Sequence, residues 1–289
     1  MKIAFNITFH WQLPQLKFHL NNILNFNISS NCQYVLVSAH KENLTNIRDY
    51  LNTDEYKDKN VQYLFIKNDP GGPHLGCTHN VIEGIKYIRD NLEYDYLINV
   101  EADNMFYFED KILKLIDKMQ DNNKHMLLID HPSCLGNELS NTQPGAPMPY
   151  FITTTLNIYS KYFVDNHLPL EYNKELMQSS WCGVPGTPFE PYLCWSFCKK
   201  HNLTTEQSMR DYFNKWSYFL HYDRDKSIYP DHTEPDNLTP DKFMKYGILN
   251  CPNGPRSSRS GGGYDSEPNA WERAKKFIEV HTPLAYEFD

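Results

Sequence analysis

Tyr94-Asp95-Tyr96-Leu97-Ile98-Asn99-Val100-Glu101-Ala102-Asp103-Asn104 is a mostly apolar, β-prone run that stops at two acids. A continuous apolar run of this length fits a strand buried on both faces rather than a strand with one wet side. The same pattern recurs in Lys2–Phe9, in Gln33–Ala39 (QYVLVSA) and in Val61–Ile66 (VQYLFI), all upstream, and in Met126–Ile129 (MLLI) downstream. Segments with helical spacing lie between them. Leu13–Leu24 places Leu16, Leu20 and Leu24 on one face, Glu42–Leu51 follows, and Lys111–Met119 precedes the MLLI run. The Asp69-Pro70-Gly71-Gly72-Pro73 cluster breaks the chain before a helix carrying Val81, Ile82, Ile85 and Ile88. Alternation of buried strands with helices predicts an α/β fold with a mostly parallel central sheet covered on both faces.

The second half is less regular. It predicts a strand or strand–turn over Tyr150–Tyr159, a helix starting near Pro191, a strand over Lys215–Tyr222 and a last helix over Pro268–Val280. Loops rich in Pro, Gly, Asn and Ser occupy His131–Pro149 and Ser257–Tyr264. No linker separates two units, so residues 1–289 read as one domain.

Composition narrows the function classes. With 28 Lys+Arg against 36 Asp+Glu the net charge is −8, which argues against nucleic acid as the main partner, since phosphate-backbone binding draws on Lys and Arg. Mean hydropathy is −0.64, and no apolar run reaches the ~20 residues of a bilayer span, so no transmembrane segment is expected. The N-terminus lacks the pattern of a secretory signal. The seven cysteines include no Cys-x-x-Cys pair, which excludes a zinc ribbon and argues for reduced thiols and a cytoplasmic setting.

In open α/β sheets ligands bind beyond the carboxyl ends of the strands. Glu101 and Asp103 stand at such an end. Two carboxylates at i and i+2 of an extended segment share one side and can reach one hard cation. Such a cation keeps open positions, which suits Mg²⁺ or Mn²⁺ shared with a diphosphate. The plainer reading is an acidic strand end that is solvated or caps the next helix. Upstream, Gly76-Cys77-Thr78-His79-Asn80-Val81-Ile82-Glu83-Gly84 opens the preceding helix.

In the order and spacing of these parts, residues 1–120 resemble GT-A-fold glycosyltransferases of the family-two type. Those proteins carry a glycine-containing "ARN-x-G" helix start and then an apolar strand ending in a DXD motif. Here His79-Asn80 stands for "RN" and Glu101-Ala102-Asp103 for DXD, with Glu replacing the first Asp. The resemblance implies a nucleotide-sugar-binding half over residues 1–120 and an acceptor-binding half over 121–289. It implies a nucleotide-diphospho-sugar donor, UDP-sugar first among them, Mn²⁺ or Mg²⁺, and a glycan or other hydroxyl acceptor.

It also implies site residues. Thr8 and His10 after the first strand, and Ser38 and His40 after the second, match the positions that hold base and ribose. The acid usual after the second strand is replaced by Ser38-Ala39-His40. Gly76 and Asn80 match the helix start, and Glu101, Ala102 and Asp103 the metal–diphosphate motif. Glu190, after Trp181-Cys182-Gly183 and just before Pro191, matches the general base of inverting members; as a bare residue it is equally a favourable charge at a helix start. His221 and His232 are candidates for a third metal ligand, with His221 preferred because it ends an apolar run. Arg256 and Arg259 flank a Gly-rich segment that either closes over a diphosphate or is a surface loop. The Asn-, Lys- and Tyr-heavy composition resembles that of proteins from AT-rich genomes such as large DNA viruses.

Two rival functions share this frame. A sugar-phosphate nucleotidyltransferase would carry a Gly-rich, Arg-containing loop after the first strand, and Thr8-Phe9-His10-Trp11-Gln12-Leu13-Pro14 has neither residue. A non-catalytic carbohydrate- or nucleotide-sugar-binding protein would retain the fold and the aromatic content without the base.

Overall fold

The computed structural model describes residues 1–9, 13–39, 41, 43–54, 56–57, 59–68, 73–102, 104–106, 109–130, 157–172, 196–221 and 248–250. In chain order the strands are β1 (Ile3–Thr8), β2 (Cys32–Ser38), β3 (Val61–Phe65), β4 (Tyr96–Glu101), β5 (Asn104–Phe106), β6 (Met126–Asp130), β7 (Asn157–Ser160), β8 (Ser217–His221) and β9 (Ile248–Asn250). The helices are α1 (Leu13–Leu24), α2 (Asn43–Leu51), α3 (Pro73–Asn91), α4 (Glu109–Asp121), α5 (Lys161–Asn166) and α6 (Glu206–Trp216), with a further helical run at 196–200.

Seven strands form one sheet in the order β3-β2-β1-β4-β7-β6-β8, and β5 pairs with β9 in a separate two-stranded sheet. The α/β expectation holds, and the central sheet is mostly parallel. Only β7 runs against its neighbours, pairing antiparallel with both β4 and β6. Because β8 is parallel to β6, β1, β2, β3, β4, β6 and β8 all end at the same edge of the sheet.

Strand alternation sends residues to two faces. Ile3, Phe5 and Ile7 of β1 join Ile98 and Val100 of β4 against Leu16 and Leu20 of α1 and Ile112 and Ile116 of α4. On the other face Ala4, Val35, Val37 and Leu97 meet Val81, Ile82, Ile85 and Ile88 of α3, with Phe163 of α5 and Phe213 of α6 alongside. Two apolar layers on one doubly buried sheet explain why β1 is buried at every position.

One expected element is corrected. Lys215–Tyr222 is not a single strand: Lys215 and Trp216 close α6, and β8 starts at Ser217. The helix forms because Thr205 and Ser208 make a reciprocal capping box at its start. Phe213 then buries on the sheet face. In the Tyr150–Tyr159 region the described strand is Asn157–Ser160. No helix among the described residues is long and apolar enough to cross a membrane.

Candidate functional site

The carboxyl ends of β1, β2 and β4 bring several of the expected residues together. Thr8 and Glu101 are register partners at the ends of adjacent parallel strands. The pairing continues one step further, where the Ala102 N–H donates to the Thr8 carbonyl at 2.9 Å. Ser38 follows Val37, the register partner of Thr8 on β2, and its carbonyl accepts from the Ile66 N–H at 3.0 Å. Thr8, Ser38 and Ala102 are buried, and Glu101 is half-buried at the rim. The Thr8 hydroxyl is enclosed with no hydrogen-bond partner among the described residues.

Helix α3 lies over this edge on the Thr8 side of the sheet. Its stripe of Val81, Ile82, Ile85 and Ile88 seats it on β1 and β2, and this seating buries Gly76, Thr78 and Asn80. The two residues at the "RN" position take different roles. His79 packs at a tilt against Tyr172, ring centroids 4.6 Å apart and planes 58° from parallel, and stands 3.9 Å from the Glu83 carboxylate, one turn on. Asn80 is fully buried, and both its amide oxygen and its amide nitrogen lack partners among the described residues. Buried polar groups without partners are costly, so Asn80 on α3 and Thr8 opposite Glu101 both hold unspent hydrogen-bonding capacity.

His221 ends β8, opposite Asp130 at the end of β6. Its backbone reaches the same sheet edge as Glu101 but on the outermost strand, three strand positions from β4. At normal strand spacing that separates the two backbones by ~14 Å. His10, His40, Asp103, Glu190, His232, Arg256 and Arg259 lie outside the described residues. Among the described residues no three His, Cys, Asp or Glu side chains cluster as a metal site. Among the described residues Thr8 and Glu101 bring oxygens to the ends of β1 and β4, the hard ligand type that Mg²⁺ and Mn²⁺ take.

The sequence reading passed over three residues behind this edge. Asn6, Asn99 and Asn157 are each fully buried and stand side by side across β1, β4 and β7, Asn6 opposite Asn99 and Asn99 opposite Asn157. Asn6 Nδ2 donates to Asn99 Oδ1 at 2.7 Å and to the Val81 carbonyl of α3 at 3.1 Å. A signal was present: each of IAFNIT and YLINVE has one amide in an apolar run, two residues before its last.

Cys32 and Cys198 are buried as thiols, and burial pushes each thiol up to about 11, where the reactive thiolate is scarce.

No protein-family model and no curated protein matches the chain. Solved structures are similar in part. The mannosyltransferase PcManGT from Pyrobaculum calidifontis, in complex with GDP-Man and Mn²⁺, is 10% identical over 59% of this chain and 48% of its own, with a TM-score of 0.42. TarS from S. aureus is 16% identical over 63% of this chain and 32% of its own, with a TM-score of 0.41. The glycosyltransferase GlyE from Streptococcus pneumoniae is 11% identical over 76% of this chain and 45% of its own, with a TM-score of 0.37. The chain thus spans less than half the length of each of these proteins. Likeness of this degree decides no activity.

Proposed function

We propose that the protein is a GT-A-type glycosyltransferase that moves a sugar from a nucleotide-diphospho-sugar to a hydroxyl acceptor, using a divalent cation and inverting the anomeric carbon. The observation that carries this reading is the pairing of Thr8 with Glu101 at the carboxyl ends of β1 and β4, with the unpartnered Asn80 amide on the helix that covers that face. Polar groups of this kind at this edge of an α/β sheet suit a nucleotide.

In this reading Glu101 and Asp103 hold Mn²⁺ or Mg²⁺, which when bound offsets negative charge on the leaving diphosphate. Thr8 and Ser38, with His10 and His40, border the base and ribose. Gly76 and Asn80 border the phosphates, and Arg256 and Arg259 pair with them. His221 is the third ligand candidate. Glu190 takes the proton of the acceptor hydroxyl as that oxygen attacks the anomeric carbon. The nucleoside diphosphate leaves from the opposite face, so the configuration inverts.

A melting screen tests the reading with UDP-, GDP-, TDP- and CMP-linked sugars, each with Mn²⁺, with Mg²⁺ and with EDTA. A donor at 100 times its Kd stabilises by about 2.7 kcal/mol, and the expected result is such a shift with one nucleotide class, abolished by EDTA. No shift with any donor under any condition overturns the proposal.

A further inference from the structure

We infer that Asn6 and Asn99 are positioning residues: one buried amide pair sets the depth of α3 on β1 and β4, and with it the relative placement of Asn80, Thr8 and Glu101. The inference rests on the transferase reading only for what those three groups bind.

Doubly buried strands ordinarily carry apolar side chains, and an amide placed there loses its hydration. Asn6 and Asn99 are fully buried between Phe5 and Ile7 on one strand and Ile98 and Val100 on the other. A leucine has nearly the same shape as asparagine and would fill either position without needing a partner. What the amides add is direction. Asn6 Nδ2 reaches two acceptors at once, Asn99 Oδ1 at 2.7 Å and the Val81 carbonyl at 3.1 Å. One acceptor belongs to the neighbouring strand and the other to the covering helix. The Asn99 bond fixes the direction of the Asn6 amide, and the Val81 bond is then made at one height and one rotation of α3, whereas apolar contact is non-directional.

The helix is also brought close enough to feel this. A Cβ on residue 84 would fall 2.0 Å from Asn6 Oδ1, so the glycine backbone of α3 rests directly on the Asn6 amide. The pieces tied together are those that carry the candidate site. Thr8 is two residues beyond Asn6 and Glu101 two beyond Asn99, each on the same face of its strand. Asn80 precedes Val81, whose carbonyl takes the bond. A shift of α3 by about 1 Å would therefore move Asn80 against Thr8 and Glu101, a displacement that costs on the order of 10²-fold in rate where geometry matters.

The test uses the full chain with Asn6→Leu/Asn99→Leu together, and Asn99→Ser as a milder variant should the pair fail to fold. Two readouts are taken: amide hydrogen exchange across residues 78–85 of α3 relative to β2 and β3, and the affinity for UDP with Mn²⁺. We expect exchange in that α3 segment to accelerate at least 10-fold while β2 and β3 stay as they were. UDP affinity should fall at least 10-fold. Exchange unchanged in α3, or raised equally in all three elements, overturns the inference. Should the unaltered protein also show no shift with any donor of the melting screen, the transferase reading fails, and the exchange pattern still decides the positioning role.

Discussion

Gly84 and Asn6 occupy one another's space: a Cβ built at Gly84 lies 2.0 Å from Asn6 Oδ1 and 2.8 Å from both Asn6 Cγ and Val37 Cγ2. Helix α3 therefore touches β1 and β2 through bare backbone. The missing side chain lets the helix lie low enough for Asn6 to bond the Val81 carbonyl at 3.1 Å. Glycine inside a helix costs roughly 1 kcal/mol against alanine, and the close approach recovers it in packing and in the amide bond.

Gly84→Ala should accordingly destabilise the protein in spite of alanine's better helix propensity. Overpacking of a well-filled core costs ~1–3 kcal/mol, and the lost Asn6 bond adds to it. Chemical denaturation of Gly84→Ala, Asn6→Ala and the double variant measures this. Partial recovery of Gly84→Ala by Asn6→Ala is expected, incomplete because Val37 also stands in the way. Equal stability of Gly84→Ala and the unaltered protein would contradict the packing described.

Glu101→Gln and Asp103→Asn each remove one negative charge and preserve shape. Both are expected to abolish Mn²⁺-dependent donor binding while the melting temperature without ligand stays near its starting value. Calorimetric titration of nucleotide-sugar with Mn²⁺ and with EDTA reads the effect. Donor affinity that stays unchanged and insensitive to EDTA in both variants would remove the metal from the mechanism.

Glu190→Gln separates chemistry from helix electrostatics. A general base contributes ~10²–10⁴-fold, so turnover should drop within that range with donor binding intact. A charge that only favours a helix start would instead cost ~0.3–1 kcal/mol of stability and leave turnover per folded molecule alone. Turnover and denaturant midpoint on one preparation distinguish the two.

Acid should weaken the fold through His19. Burial holds this α1 imidazole down at about 3, from an ordinary value of 6.5. Because the folded value is depressed, the unfolded chain binds the proton first. Stability is full above pH ~6.5 and falls as the pH drops from there towards the folded value, with a slope of up to about 1.4 kcal/mol per pH unit for one group. Burial also lowers His125, His167 and His201, so their contribution has the same sign. At pH 5.5 the protein should take up protons on unfolding, and His19→Gln should reduce that uptake by about one. Uptake identical in the variant would place His19 in water in the native state.

Several features were legible along the chain because they depend on near neighbours alone. The runs LINV, VLV and AFNI are buried on both faces in any α/β arrangement, and α1 occupies Leu13–Leu24, the bounds its leucine spacing indicates. Glu101 closes β4, at the strand tip that the apolar run before it indicates. Helix α6 was missed although Met209, Tyr212, Phe213 and Trp216 recur at helical spacing, because its last turn, Lys215–Trp216, reads as part of the strand that follows and its capping box uses Ser208 in place of the usual Glu or Gln.

Pairing was a different matter. Asn157–Ser160 is four residues long, all buried, and nothing within it dictates that it should run antiparallel between β4 and β6. Nor does local sequence bring residues 104–106 against 248–250, place His221 on the outermost strand, or set Asn6, Asn99 and Asn157 in one row. Helix and strand periodicity come from backbone geometry and burial of nearby side chains, which a short window contains. Strand order, direction and register come from which distant surfaces exclude water together, and residues 75 to 93 positions apart, such as Asn6 with Val81 and Asn99, meet only when the chain has closed on itself.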